Sequence, residues 1–242
     1  MSRGILVAAF GSLLPEGRSV HGRIEAMARD AFPGVPLRTG LLSRRVLAGL
    51  RERGEGARSV REAAADVLSD GCSELVVLPV LFCRGREREI LEQDLSGIPF
   101  RCAGTLLDRS GHAEELAGIL LSQRSGSRPN AVAVHGNADH PSSAKLLLDL
   151  KLALARLDPT VGIASVEPME GFEPESLAAI VRGASVLHVV PALIGAGRHL
   201  REDVVQGWPG RVGVERVECA PPLGENPAVL DLFEERLEEA WR

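Results

Sequence analysis

The sequence predicts an α/β fold built as two similar doubly wound lobes with parallel sheets, related by internal duplication and facing a central cleft. Three observations predict it. Short β-rich runs alternate with longer stretches of helical period, the pattern of parallel strands joined by crossover helices. A polar stretch, Ser122-Gln123-Arg124-Ser125-Gly126-Ser127-Arg128-Pro129, interrupts that alternation near the middle of the chain, after which the pattern restarts. The segment Val76-Val77-Leu78-Pro79-Val80-Leu81-Phe82-Cys83-Arg84-Gly85-Arg86-Glu87 also lies well on His188-Val189-Val190-Pro191-Ala192-Leu193-Ile194-Gly195-Ala196-Gly197-Arg198-His199. In both copies an apolar strand runs into a glycine turn that opens a helix.

In the first lobe, taken as residues 1–124, strands are expected over 5–10, 36–41, 75–82 and 100–107. Between them, 20–31, 60–68, 87–95 and 113–121 carry apolar residues three and four apart with Arg and Glu in the gaps, as amphipathic helices do. In the second lobe, residues 125–242, strands are expected over 131–134, 162–166, 186–194 and 213–219, and helices over 142–157, 174–182, 198–206 and 227–241. In such folds the loops leaving the carboxyl ends of the strands line the ligand site.

A chain of 242 residues is long enough to bury sizeable cores without disulfides. Lys+Arg 28 against Asp+Glu 33 leaves a net charge of −5, and six Phe, two Trp and no Tyr offer little for stacking bases, so nucleic acid is not an expected partner. Cys72, Cys83, Cys102 and Cys219 lie far apart, with no Cys-x-x-Cys pair, and read as thiols of a reducing compartment. The apolar stretch at 5–10 is too short for the core of a signal peptide. The longest apolar run, 186–196, is interrupted by His188 and Pro191 and falls short of a membrane span. No membrane association and a cytoplasmic location are therefore expected. The cations are almost all Arg, which suits planar contacts to carboxylates, although high genomic GC content produces the same bias.

Two histidines stand where chemistry is expected. His135 ends a strand and precedes Gly136, and His199 follows Gly195-Ala196-Gly197, so both sit at the carboxyl edge of a sheet. With a carboxylate, Glu87 or Glu167, they make a nitrogen and oxygen ligand set for a divalent first-row metal. A histidine at a strand end is also commonly a hydrogen-bonded structural residue. His188, inside an apolar strand, reads as a core histidine; His21 and His112 read as surface residues; His140 reads as a supporting residue of the His135 loop.

Gly195-x-Gly197 falls short of a dinucleotide fingerprint because Leu200 stands where Gly or Ala is required for close helix packing. There is no phosphate-loop motif and no Gly-x-Ser-x-Gly elbow, so neither ATP nor any other nucleotide is expected. Arg84, Arg86 and Arg88 flank Glu87, and Arg198 and Arg201 flank His199. They read either as a cationic lining that draws a polyanionic small molecule or as ordinary solvated helix starts.

These residues resemble a known family. Leu6-Val7-Ala8-Ala9-Phe10-Gly11-Ser12, Gly85-Arg86-Glu87, His135-Gly136 with Leu148-Asp149, Ser165-Val166-Glu167, the run from His188 to Gly197-Arg198-His199, and Leu223-Gly224-Glu225-Asn226-Pro227-Ala228 are similar to the anaerobic-type sirohydrochlorin cobaltochelatases of the class II chelatases. The resemblance implies a lyase-type chelatase of cobalamin (vitamin B12) synthesis that inserts Co²⁺ into sirohydrochlorin without ATP. By position it makes His135, Glu167 and His199 the metal ligands, and His135, His199 and Glu87 the catalytic groups. It places Phe10, Gly11, Ser12, Arg84, Arg86 and Arg198 against the tetrapyrrole, and it implies a homo-oligomer with no cofactor beyond the substrate metal. Asp139 stands where some relatives have His, Lys145 stands where an aromatic is common, and Tyr is absent, which bears on macrocycle packing. A tetrapyrrole chelatase inserting Fe²⁺ or Ni²⁺, and a non-catalytic metal or tetrapyrrole carrier, are the alternatives.

Overall fold

The computed structural model describes residues 2–136 and 140–242. The chain divides into two compact units, Met1–Leu106 with Pro227–Arg242, and Leu107–Asn226.

The first unit runs β1 (Arg3–Ala9), α1 (Pro15–Ala31), β2 (Leu37–Leu41), α2 (Arg44–Glu52), α3 (Val60–Ser69), β3 (Glu74–Val80), α4 (Arg86–Asp94) and β4 (Phe100–Cys102). Its four strands are parallel in the order β2-β1-β3-β4. The inner strands β1 and β3 are buried on both faces, which is why they read as unbroken apolar runs in the sequence. α1 begins with Pro15, whose fixed φ and missing N–H suit a first helical position. It turns Val20, Ile24 and Ala28, each four residues on, toward the core. α3 is opened by a capping box in which Ser59 and Glu62 satisfy each other's backbone N–H groups.

The second unit runs α5 (His112–Ser122), β5 (Asn130–Val134), α6 (Pro141–Leu157), β6 (Val161–Ser165), a 3₁₀ turn Pro174–Leu177 leading into α7 (Ala178–Val181), and β7 (Val186–Pro191). A π-helix, His199–Gly207, then runs into α8 (Trp208–Val212), β8 (Arg216–Cys219) and a 3₁₀ turn, Leu223–Glu225. The sheet order is β6-β5-β7-β8, all parallel. It repeats the first unit strand for strand, and the registers repeat as well. Ala8 pairs with Pro79 as Ala133 pairs with Pro191, Ala9 with Leu41 as Val134 with Ser165, and Val77 with Cys102 as Val189 with Cys219. The two lobes expected from the sequence are therefore similar residue by residue along their sheets.

The last helix, α9 (Pro227–Trp241), packs on β3 and α1 of the first unit, while α5 packs on α6 of the second. The chain thus passes from one unit to the other after Leu106 and after Asn226, not at the 124/125 division read from the polar stretch. That stretch is a turn tied down inside the second unit. The Asn130 side-chain carbonyl accepts the Ser125 N–H at 2.7 Å, and its amide donates to the carbonyls of Ser125 and Arg128 at 2.8 and 2.7 Å.

Several elements differ from expectation for local reasons. α2 is not expected from the sequence, because only Leu47 and Leu50 are buried and charged residues, Arg44, Arg45, Arg51 and Glu52, occupy both its ends; it is held by Ser43, whose hydroxyl accepts the Val46 N–H. The strand expected over 100–107 pairs only through Cys102, and buried Leu106 and Leu107 follow as loop. The single helix expected over 174–182 starts as a 3₁₀ turn and stops at Arg182, which adopts a left-handed conformation at φ 43. The strand expected from 213 begins at Arg216, since Gly213, at φ 84, closes α8. Among the described residues no helix is long and apolar enough to cross a membrane.

Candidate metal centre

The carboxyl ends of β5 and β6 carry the first two residues of the site. Beyond the last strand pair the ladder continues: Val166 donates its backbone N–H to the Val134 carbonyl at 2.9 Å, and Glu167 donates to the His135 carbonyl at 2.8 Å. His135 and Glu167 are thereby held side by side at the sheet edge. Gly136 adopts φ +92, and a Cβ there would stand 2.9 Å from the Glu167 carbonyl oxygen, so a glycine lets the two backbones pass. The Ser165 hydroxyl donates to the Glu167 carbonyl at 2.7 Å and fixes the exit of β6 from the other side.

His199 arrives from the loop after β7 as the first residue of the π-helix. Such i→i+5 segments are rare and concentrate at functional sites. The three side chains converge: one donor atom from each of His135, Glu167 and His199 lies within 4.8 Å of the others. The imidazole centroids are 4.7 Å apart with planes at 85°. His135 Nδ1 lies 3.8 Å from Glu167 Oε2. The side chains of His135, Glu167 and His199 are 44%, 53% and 33% exposed, so a hydrated ion reaches them from solvent.

Both rings have a neighbour at Nδ1. That of His135 is 3.1 Å from the Gly136 carbonyl, and that of His199 is 2.7 Å from Asp203 Oδ2. In the tautomer that donates from Nδ1 to these oxygens, both Nε2 atoms carry free lone pairs. With bonds of about 2.1 Å to a tetrahedral ion, donor atoms stand about 3.4 Å apart, so a modest contraction of the triad seats a first-row divalent metal. One carboxylate and two neutral imidazoles supply a net negative, borderline-soft ligand set for it.

Of the remaining residues singled out in the sequence, Arg198 belongs to this unit. It is exposed and 3.8 Å from Glu202. Phe10, Gly11, Ser12, Arg84, Arg86 and Glu87 belong to the first unit. Phe10 leaves β1 as His135 leaves β5, and is 49% exposed; the hydroxyl of Ser12 accepts the Leu14 N–H at 3.1 Å. Arg84 and Arg86 are exposed, and Glu87 lies half-buried in the first turn of α4.

His188 is half-buried in β7 and its Nε2 is 3.1 Å from the Gln123 carbonyl, away from the triad's ligand set. His112, expected at the surface, is buried at 6% exposure, because it opens α5 on the face that packs into the unit. His21, also expected at the surface, is partly buried on α1, where burial and then the Arg18 charge lower its pKa. Nδ1 of His140 is 2.9 Å from the Ser142 hydroxyl at the start of α6. Asp139 lies outside the described residues, and Lys145 donates to Asp149 Oδ2 at 2.9 Å and to the Ser110 hydroxyl at 3.1 Å. Asp203 was not singled out by sequence; its signal was the spacing of four residues from His199, which places both on one side of a helix.

Residues 131–240 match the CbiX family. Over 98% of its length the chain is 28% identical to the sirohydrochlorin cobaltochelatase CbiKC of Nitratidesulfovibrio vulgaris, covering 90% of that protein. It is similar in fold to the sirohydrochlorin chelatase SirB of Bacillus subtilis subspecies spizizenii in complex with cobalt, with TM-score 0.63 and 13% identity over 99% of this chain and 95% of that one. SirB of Bacillus subtilis with Fe³⁺ gives TM-score 0.67, again at 13% identity, over 99% of this chain and 96% of that one. The likeness seen in the residues therefore runs along nearly the whole chain.

Proposed function

We propose, taking this chain's resemblance to the sirohydrochlorin chelatases as the premise, that it inserts Co²⁺ into sirohydrochlorin without ATP, at an early step of cobalamin synthesis. The observation that carries the reading is the convergence of His135, Glu167 and His199 on one point at the carboxyl edge of a parallel sheet. It is supported by a curated relative that is named a cobaltochelatase and is similar over 98% of the chain.

Insertion makes two demands: the hydrated ion sheds waters stepwise, and the macrocycle loses two pyrrole N–H protons as metal–nitrogen bonds form. His135, His199 and Glu167 take the ion as substrate and replace part of its water shell. Imidazole is neutral and basic near pH 7, so each histidine released from the departing ion is a competent acceptor for a pyrrole proton. Glu87 assists deprotonation or orients the macrocycle. Arg84, Arg86 and Arg198 pair with the substrate's carboxylates, and the exposed ring of Phe10 with Gly11 and Ser12 contacts its flat face. Chelation itself supplies the driving force, so the reaction uses no nucleotide. We take the proposed enzyme to be cytoplasmic, as its apolar runs lead one to expect, and homo-oligomeric, as the resemblance implies.

The test mixes the purified protein with sirohydrochlorin and Co²⁺, without ATP, and follows the absorbance of the macrocycle. Multiple turnovers support the enzyme; a change that stops at one equivalent would make the protein a carrier. A second reading, insertion of iron, is favoured by the appearance of both cobalt and Fe³⁺ with SirB and by a ligand set that accepts several metals. Parallel assays with Fe²⁺ and Ni²⁺ under anaerobic conditions compare the rates.

A further inference from the structure

The strongest unassigned feature of the molecule is a carboxylate behind one histidine of the triad. Asp203 Oδ2 is 2.7 Å from His199 Nδ1, the shortest polar approach made by either imidazole of the site. The contact is local to the π-helix, linking its first residue to one four positions on, so a single element sets both groups. Leu200 and Val204, each the residue that follows one member of the pair, are buried and anchor that element in the core of the second unit. Asp203 itself is 45% exposed and His199 33% exposed, so neither is locked by packing alone.

An imidazole has one N–H and one lone pair when neutral, and which nitrogen carries which decides whether it can bind a metal from a given side. A carboxylate accepts only, so at 2.7 Å it selects the tautomer with the proton on Nδ1. The lone pair then sits on Nε2. His135 meets the same condition through a weaker neighbour, the Gly136 carbonyl at 3.1 Å. The two rings of the triad are thus oriented by partners of different kinds, and only that of His199 is a side chain that substitution can remove.

We propose that Asp203 is the positioning residue of the metal centre: by accepting the Nδ1 proton of His199 it fixes the ring and keeps Nε2 available to the incoming ion. The inference rests on the reading that the triad receives the metal. Partners of this kind are worth about 10- to 100-fold in metal affinity.

The experiment compares the full chain with D203A and D203N by two readouts. The visible absorption of Co²⁺ titrated into the protein gives the affinity, and ¹⁵N spectra of histidine-labelled, metal-free protein give the tautomer of His199, assigned against H199A. The expected result is that D203A binds Co²⁺ about 10- to 100-fold more weakly and loses the Nδ1–H preference of His199. D203N, whose side-chain carbonyl still accepts the proton, recovers most of both. A D203A protein with unaltered affinity or an unaltered tautomer overturns the proposal, and so does a D203N no better than D203A. A wild-type chain that takes up no Co²⁺ would instead overturn the metal reading itself, with the tautomer spectra still reporting on the Asp203 contact.

Discussion

Glu167 donates its backbone N–H to the carbonyl of His135 at 2.8 Å, one step past the last pair of the sheet ladder. The same step exists in the first unit, where Ser43 donates to the carbonyl of Phe10 at 3.1 Å. Equivalent backbone therefore carries a histidine and a carboxylate in one unit and an exposed aromatic and a helix-capping serine in the other. The scaffold is shared, and what differs is the chemistry at its edge.

That scaffold depends on Gly136. Replacing it by Ala imposes a left-handed conformation on an L side chain, worth about 1–2 kcal/mol, and drives the new Cβ to 2.9 Å from the Glu167 carbonyl. We expect Gly136→Ala to lower stability by roughly 1–3 kcal/mol and to weaken Co²⁺ uptake, because the easiest relief moves Glu167. Gly183→Ala is the control: it shares the positive φ, 82, but its Cβ would meet nothing within 4 Å. Urea unfolding and Co²⁺ titration of both variants separate backbone strain from the contact. Equal losses of metal affinity in the two would refute the link between Gly136 and Glu167.

The proposed ligands His135, Glu167 and His199 are half-exposed and contribute little packing, so their removal should cost function far more than stability. His135→Ala, His199→Ala and Glu167→Gln are each expected to lower Co²⁺ affinity and insertion rate by more than about 100-fold, with unfolding free energies within about 0.5 kcal/mol of wild type. Absorbance titrations and denaturant melts on the same preparations check both halves. A variant that inserts metal at the full rate removes its residue from the ligand set.

Much of this was legible from the residues. The inner strands declare themselves because burial on both faces demands unbroken apolar runs, and His135 and His199 stand out because each follows such a run. The π-helix is not legible, since apolar positions that suit an α-helix also suit a wider turn over nine residues. Nor is the choice of partners for α5 and α9. Each has an apolar stripe that fits any sheet face, and which unit it joins is settled by tertiary packing. Asp203 escaped notice because its role lies in a contact with a histidine, and no motif marks it.

Trp208 is 1% exposed in the core of the second unit, where it receives the end of the π-helix, and its indole N–H has no hydrogen-bond partner among the described residues. Trp208→Ala should cost about 3–5 kcal/mol. Trp208→Phe should cost much less, about 1 kcal/mol or under, because the lost packing is offset by removal of an unsatisfied buried donor that itself costs about 1–3 kcal/mol. Denaturant unfolding followed by circular dichroism measures both. A Phe variant as unstable as the Ala variant would show that the N–H is satisfied in solution, by water or otherwise.

His21 gives the stability of the first unit a pH dependence. Its pKa is lowered by burial, and further by the Arg18 charge one turn earlier on α1. The unfolded chain therefore binds this proton more readily than the folded one. Stability from neutral His21 is complete above the unfolded value of about 6.5 and is lost as pH falls toward and through the depressed folded value. Glu25 acts in a separate window. Burial raises its pKa, but hydrogen bonds from Thr39 and Arg29, with the charges of Arg29 and Arg38, outweigh that and lower it, so its contribution is lost only below about pH 4.3. Thermal melts from pH 7.5 to 5 should show the wild-type protein losing stability relative to His21→Gln, while Glu25→Gln tracks wild type across that range. If His21→Gln falls in parallel with wild type from pH 7.5 to 5, His21 is not the group that titrates.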